Sequence, residues 1–186
     1  MTEKQTTYKL TSTRSDYITP RYLIDEVLNH DGINEFDLDV CCNKENIPAK
    51  EYYKAEVNEE TGEVINIISD GLKLPWKKYN WMNPPFNESK KWIKKAIQEQ
   101  QKGNTTWAII PFRPETAYWD FILCSKGTLD DRVFENEFFK CIFYRKGLCF
   151  VNPVTKEKMG VYKNPLALIK FKGLKCTAEC VQEQLL

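Results

Sequence analysis

Tyr22, Leu23, Ile24, Val27 and Leu28 recur at the spacing of one helical face. Thr19-Pro20 ahead of them predicts the helix start, with Thr19 as N-cap and Pro20 in the first helical position. Asn29-His30-Asp31-Gly32 predicts the stop. Phe36-Asp37-Leu38-Asp39-Val40-Cys41 alternates apolar and acidic positions as a strand does, and a polar end follows through Cys42 to Asn46. Tyr52-Tyr53 predicts a short strand. Asn58 to Glu63 is turn-rich and charged, a surface hairpin or loop, and the β-branched run Val64 to Ile68 leads into Ser69-Asp70-Gly71. Tyr79 to Met82 is a further strand, then comes a helix from about Ser89 to Gln101. Thr105 to Ile110 reads as a buried strand ending at Pro111, and Arg113 to Leu123 as a helix carrying Tyr118, Trp119 and Phe121. In the last third Phe138 to Tyr144, Leu148 to Val151 and Leu166 to Phe171 are strand-like, with Arg145-Lys146-Gly147 as a tight turn joining the first two.

Strands alternating with helices early and a hairpin late predict an α/β sheet with an antiparallel edge. Residues 1–16 are polar and read as a flexible lead-in, 17–175 as one domain, and 176–186 as a C-terminal tail. Only 44 positions separate Asp39 from Asn83, whereas one strand–helix–strand unit takes roughly 30 residues or more. One connection in the middle of the sheet is therefore expected to be shortened, or to have lost its helix.

The segment between the strand at Tyr79–Met82 and the following helix is Asn83-Pro84-Pro85-Phe86. Consecutive prolines fix φ and remove two backbone donors, which leaves carbonyl acceptors with little freedom to turn. Asn83 adds a side-chain amide oxygen, and Phe86 adds a ring. Such a loop suits a planar heterocycle with an exocyclic amino group: the acceptors take its N–H protons and the ring covers its face. Adenine carries that group at N6, so the loop points to methyl transfer onto an amino nitrogen. The same four residues are also good turn chemistry, and further signals are needed to weigh the two.

Those signals come from the strand ends. In a doubly wound sheet, ligands bind at the carboxyl ends of the strands near the point where strand order reverses. Asp39 to Asn46, Asp70-Gly71 and Asn83 to Phe86 all fall at such ends. Asp39 and Asp70 offer acidic acceptors for a nucleoside-like cofactor, and Cys41 is small enough to let backbone approach it. Neither Gly-x-Gly-x-x-Gly nor a Walker loop occurs, so a cofactor without phosphates fits better than NAD or ATP.

Composition narrows the classes. Net charge is +1, so a polyanion must be held by a local patch, for which Lys90-Lys91-Trp92-Ile93-Lys94-Lys95 is one candidate. An equally good reading of that stretch is a solvated helix face with Trp92, Ile93 and Ala96 turned inward. The seven cysteines include no Cys-x-x-Cys and read as reduced, mostly buried thiols. The single His30 reads as a surface capping residue, which argues against a hydrolase built on histidine. No apolar run approaches a membrane span and no signal peptide is evident, so a cytoplasmic protein is expected.

In order, Thr19-Pro20, Phe36-Asp37-Leu38-Asp39-Val40-Cys41, Asn46, Tyr52-Tyr53, Asp70-Gly71-Leu72 with Trp76, Trp81-x-Asn83-Pro84-Pro85-Phe86, Trp92 with Lys95-Ala96, Pro111-x-Arg113 and Trp119 resemble the phage DNA N-6-adenine methyltransferase family (Dam type). The resemblance runs from about residue 15 to 171. It implies a Rossmann-like S-adenosylmethionine-dependent methyltransferase sheet, mostly parallel with an antiparallel C-terminal hairpin edge. It further implies DNA as substrate, and the host cytoplasm as location if the chain is phage-encoded. Thr19, Pro20, Asp39, Cys41, Asn46 and Asp70 would then serve the cofactor, and Asn83, Pro84, Pro85 and Phe86 a flipped adenine. Arg113, Lys90 and Lys94 are the candidates for phosphate contact, each with a structural role as its alternative. Departures from the family pattern are Phe86 where tyrosine is commoner, Val40-Cys41-Cys42-Asn43 in place of a glycine-rich turn, and a long insert around Glu59 to Gly62. Rival readings keep the loop and change the acceptor to RNA or a protein glutamine, or keep the fold as a non-catalytic nucleic-acid-binding relative. A recognition subunit or a homo-oligomer is compatible with each.

Overall fold

The structure is a computed structural model that describes residues 18–58, 63–113, 115–116, 118–119, 122, 128–130, 133–144, 149–151, 158–161 and 164–175. The expected lead-in and tail lie outside these residues. In chain order the elements are α1 (Arg21–Asp31), β1 (Phe36–Cys42), β2 (Ala49–Val57), β3 (Val64–Ile67), β4 (Tyr79–Met82) and α2 (Ser89–Gln101). They continue with β5 (Thr105–Pro111), β6 (Thr128–Asp130), β7 (Val133–Glu135), β8 (Phe139–Tyr144), β9 (Cys149–Val151), β10 (Lys158–Val161) and β11 (Leu166–Phe171).

Among the described residues nine strands make one mixed sheet in the order β3-β2-β1-β4-β5-β11-β8-β7-β6. β2, β1, β4 and β5 run parallel, and β11, β8, β7 and β6 continue antiparallel. The antiparallel part is thus larger than the hairpin edge expected from sequence. At the other edge β3 folds back antiparallel on β2, so the charged segment at Asn58 is a hairpin connection, with residues 59–62 outside the described set.

The shortened connection lies between β1 and β2. Only residues 43–48 join these two parallel neighbours, with no helix. Seven peptide steps reach at most about 25 Å, enough to run back along a seven-residue strand of roughly 23 Å. Asp39 and Asn83 fit within one sheet because this crossover is an extended segment.

α1 and α2 cover opposite faces. α1 buries Leu23, Ile24, Val27 and Leu28 against Phe36, Trp81, Trp107, Ile109, Leu166 and Leu168. Its end is set by Gly32, whose φ of 65° suits a residue without a Cβ. α2 turns Trp92, Ile93 and Ala96 inward against Leu38, Val40, Ala108 and Ile110, as the inward-face reading of the lysine-rich stretch requires. No helix among the described residues is long and apolar enough to cross a membrane.

Three expectations need correction. The α1 N-cap is Pro20 and not Thr19, and no side chain caps that end. β9 does not pair with β8; it forms a separate two-stranded ribbon with β10. Both edges of β8 are already occupied, by β11 and β7, so a third partner has no backbone groups to bond. From Arg113 to Trp119 the described hydrogen bonds reach back three residues, as in successive tight turns, whereas Ile122 is helical; Tyr118 and Trp119 are buried. Phe121 and the turn at 145–147 lie outside the described residues.

Candidate active site

Strand order reverses between β1 and β4, and their carboxyl ends lie side by side. Asp39 is the register partner of Trp81. That pairing sets Asp39 on the face of Trp81, which α1 covers; a register shift in β1 follows Asp39, and Cys41 packs against the cluster on the α2 side. Past the last pair of that register the Asn83 backbone N–H donates to the Cys41 sulfur. The Asn83 side chain reaches the other way, its Nδ2 donating to Thr19 Oγ1 at 3.2 Å. The hydroxyl first expected to cap α1 is therefore spent on the loop after β4. Thr19, Cys41 and Asn83 meet although they come from three separate parts of the chain.

Asp39 is 4% exposed and accepts a hydrogen bond from the Cys41 backbone N–H at 3.2 Å. Burial pushes its carboxyl up to about 7, with that one N–H opposing. Burial, with the Asp39 charge beside it, likewise raises the Cys41 thiol, which stays protonated at neutral pH. Neither group is a ready nucleophile. Asp39 is a buried acceptor with spare capacity, the kind of group that binds hydroxyl or amino donors.

Asp70 is engaged differently. It accepts the Leu72 backbone N–H at 3.0 Å and pairs with Lys73 at 3.1 Å, so it holds its own turn. Burial raises its carboxyl, but the Lys73 and Leu72 hydrogen bonds outweigh this and leave it below its ordinary value. Gly71 then sits on the end of β1: a Cβ there would stand 2.0 Å from the Val40 carbonyl oxygen and 3.0 Å from the Trp92 ring. Only glycine fits that approach. Trp76 fixes the same turn by donating its Nε1–H to the Gly71 carbonyl at 2.7 Å. Asn46 is half-buried in the crossover after β1, and Pro20 is buried at the start of α1.

In the loop itself Pro84 is buried while Asn83, Pro85 and Phe86 are half-buried. A short 3-10 turn at Phe86–Glu88 leads into α2, closed by the Ser89 hydroxyl donating to the Phe86 carbonyl at 2.8 Å. The Phe86 ring packs edge-on against Phe150 of β9, centroids 6.4 Å apart. That ribbon contact had no signal in the sequence. Lys90, Lys94 and Arg113 are exposed, the lysines on α2 just after the loop and Arg113 just beyond β5. Lys91 and Lys95 pair with Glu88 and Glu99, at 2.6 and 2.9 Å. No acidic partner of Lys90, Lys94 or Arg113 is found among the described residues. His30 lies elsewhere: its ring is exposed in the last turn of α1, 2.7 Å from Asp31 and 2.8 Å from Lys140 Nζ, so it pairs with side chains and does not cap.

A family model described as DNA N-6-adenine-methyltransferase (Dam) matches residues 6–169, which takes in every residue just placed. The chain belongs to that family. Among curated proteins, one of Escherichia phage T1 named DNA N-6-adenine-methyltransferase is 29% identical over 118 residues. The match covers 60% of this chain and 44% of that protein, so the aligned part spans less than half of the relative's length.

Proposed function

We propose that this chain transfers a methyl group from S-adenosylmethionine to the exocyclic N6 amino group of adenine in DNA, as a site-specific adenine methyltransferase of the host cytoplasm. The observation that carries this reading is the meeting of two strand ends: Asn83-Pro84-Pro85-Phe86 after β4 lies against the end of β1 that carries buried Asp39. Family membership supports the same reading. A Rossmann-like assignment draws support from the parallel core β2-β1-β4-β5, whose order reverses between β1 and β4; β3 is an antiparallel addition at its edge.

The donor set fits the cofactor. Asp39 is a buried acceptor with one described hydrogen bond, suited to ribose hydroxyls or an amino group. Cys41, Asn46, Asp70, Thr19 and Pro20 surround the same strand ends and complete the proposed cofactor side. When bound, S-adenosylmethionine supplies a sulfonium methyl that is already activated. The chain must then align the acceptor nitrogen and exclude water. In this reading Asn83 and the Pro84 carbonyl accept the amine N–H protons, and those bonds strengthen as the nitrogen becomes tetrahedral. In the same reading the half-buried Phe86 ring stacks on the base, which recovers some of the cost of flipping it.

Lys90, Lys94 and Arg113 are proposed to hold phosphates. Lys90 and Lys91 stand in the first turn of α2, which has no acid. Cations there oppose the helix dipole, and a nearby phosphate would reverse the sign of that contribution.

Incubating the purified chain with radiolabelled S-adenosylmethionine and, separately, duplex DNA, RNA and bulk protein tests the proposal. Label in DNA, recovered as N6-methyladenine, is expected. Label confined to RNA or to glutamine side chains, or none in any acceptor, contradicts it.

A further inference from the structure

Thr19 and Asn83 share a feature that their hydrogen bond makes consequential: each is followed by proline, Pro20 and Pro84. A residue before proline is confined to extended backbone. Thr19 is also β-branched, which restricts its χ1, and it is 3% exposed. The 3.2 Å bond from Asn83 Nδ2 to Thr19 Oγ1 therefore ties two stiff points that lie 64 positions apart. A second hold comes from the Asn83 backbone N–H on the Cys41 sulfur.

An asparagine amide has one acceptor oxygen and an amino group with two donors. Which of them meets a substrate amine decides whether the contact attracts or repels. With Nδ2 turned to Thr19, the oxygen is on the opposite side of the amide, the orientation needed to accept an N–H. Rotation by a half-turn would set donors against donors.

We propose that Thr19 is a positioning residue for methyl transfer: its hydroxyl anchors the Asn83 side chain at the loop after β4, and Cys41 fixes the backbone beneath it. This rests on the role proposed above for Asn83. The hydroxyl thus acts on the acceptor side of the site, beyond any contact that the Thr19-Pro20 segment makes to the cofactor. It also links the entry to α1 with the loop after β4, so the two halves of the site are held in one register.

The test uses the full chain and the variants Thr19→Val, Thr19→Ser, Thr19→Ala and Asn83→Ala, measuring kcat, KM for duplex DNA and S-adenosylmethionine affinity by calorimetry. Thr19→Val keeps the shape and removes the hydroxyl. Its kcat is expected to fall roughly 10- to 100-fold, the scale of a small misplacement of a reacting group. KM for DNA should stay within about threefold, and cofactor affinity, in which Thr19 is also proposed to share, should fall by much less than kcat. Thr19→Ser should restore kcat to within about threefold, as it keeps the hydroxyl. Thr19→Ala carries the same expectation as valine, should valine lower the melting temperature. In an Asn83→Ala background, Thr19→Val should add nothing further. An inactive Asn83→Ala beside a fully active Thr19→Val overturns this inference and leaves the proposed function standing, as does a Thr19→Val loss found wholly in cofactor affinity. An active Asn83→Ala overturns the reading of the loop and this inference with it.

Discussion

Asp39 accepts the Cys41 backbone N–H at 3.2 Å on the strand next to Asn83, and burial holds its carboxyl near neutrality, at about 7. Donors from a bound cofactor would favour the ionised form. Cofactor affinity is therefore expected to rise between pH 6 and 8, by about tenfold for each unit below the Asp39 value and levelling above it. Calorimetric titration across that range checks this, and Asp39→Asn should flatten the profile.

The same carboxyl affects the free chain with a definite sign. Its ordinary value is 3.8 and its folded value about 7, so between those limits the folded state holds a proton that the unfolded state releases. This group's contribution to stability is therefore best at the acid end of that window and declines as pH rises through it. Denaturant unfolding of wild type and Asp39→Asn at pH 5 and pH 8 should give a smaller pH-dependent loss in the variant.

Gly71 is the tightest backbone approach at the site, with 2.0 Å left between its missing Cβ and the Val40 carbonyl oxygen. Backbone has to move to admit a methyl group there. Gly71→Ala is expected to destabilise by about 1–3 kcal/mol or more and lower the melting temperature by roughly 2–4 °C per kcal/mol. Differential scanning calorimetry reads this directly, and an unchanged melting temperature would show that the turn at Asp70 is not seated on β1.

Lys90 and Lys94 are exposed on α2 and have no acidic partner among the described residues, whereas Lys91 and Lys95 do. If the first pair meets phosphates, replacing each by alanine should weaken DNA binding at all sequences alike. The slope of log affinity against log salt should fall by about one for each lysine removed. Lys91→Ala should change that slope less, because its charge is already matched by Glu88. Fluorescence anisotropy over a salt series separates these outcomes.

Much of the framework was legible in the sequence because β1, β4, β5, α1 and α2 carry their own periodicity. The family resemblance read from Asp39, Asp70 and the Asn83 loop agrees with the family match. β2 was read short, since Ala49–Val57 mixes charges with half-buried aromatics and so hides its nine residues. β6, β7 and β10, each three or four residues long, are too brief to show a period. The partner of β9 was misread because pairing depends on which edges remain open in the finished sheet. Within the site, strand-end residues announced themselves, while the bond between Thr19 and Asn83 did not. No local pattern encodes a contact across 64 positions. Gly71 came closer to being legible, as a glycine directly after an acid at a strand end.

The most direct measurement is the modified-base content of DNA from a host lacking its own adenine methylation, made to express either the wild-type chain or Asn83→Ala. Digestion to nucleosides and mass spectrometry should find N6-methyldeoxyadenosine with the wild type and none above background with the variant. Equal amounts from both, or none from a folded wild-type chain, would contradict the account.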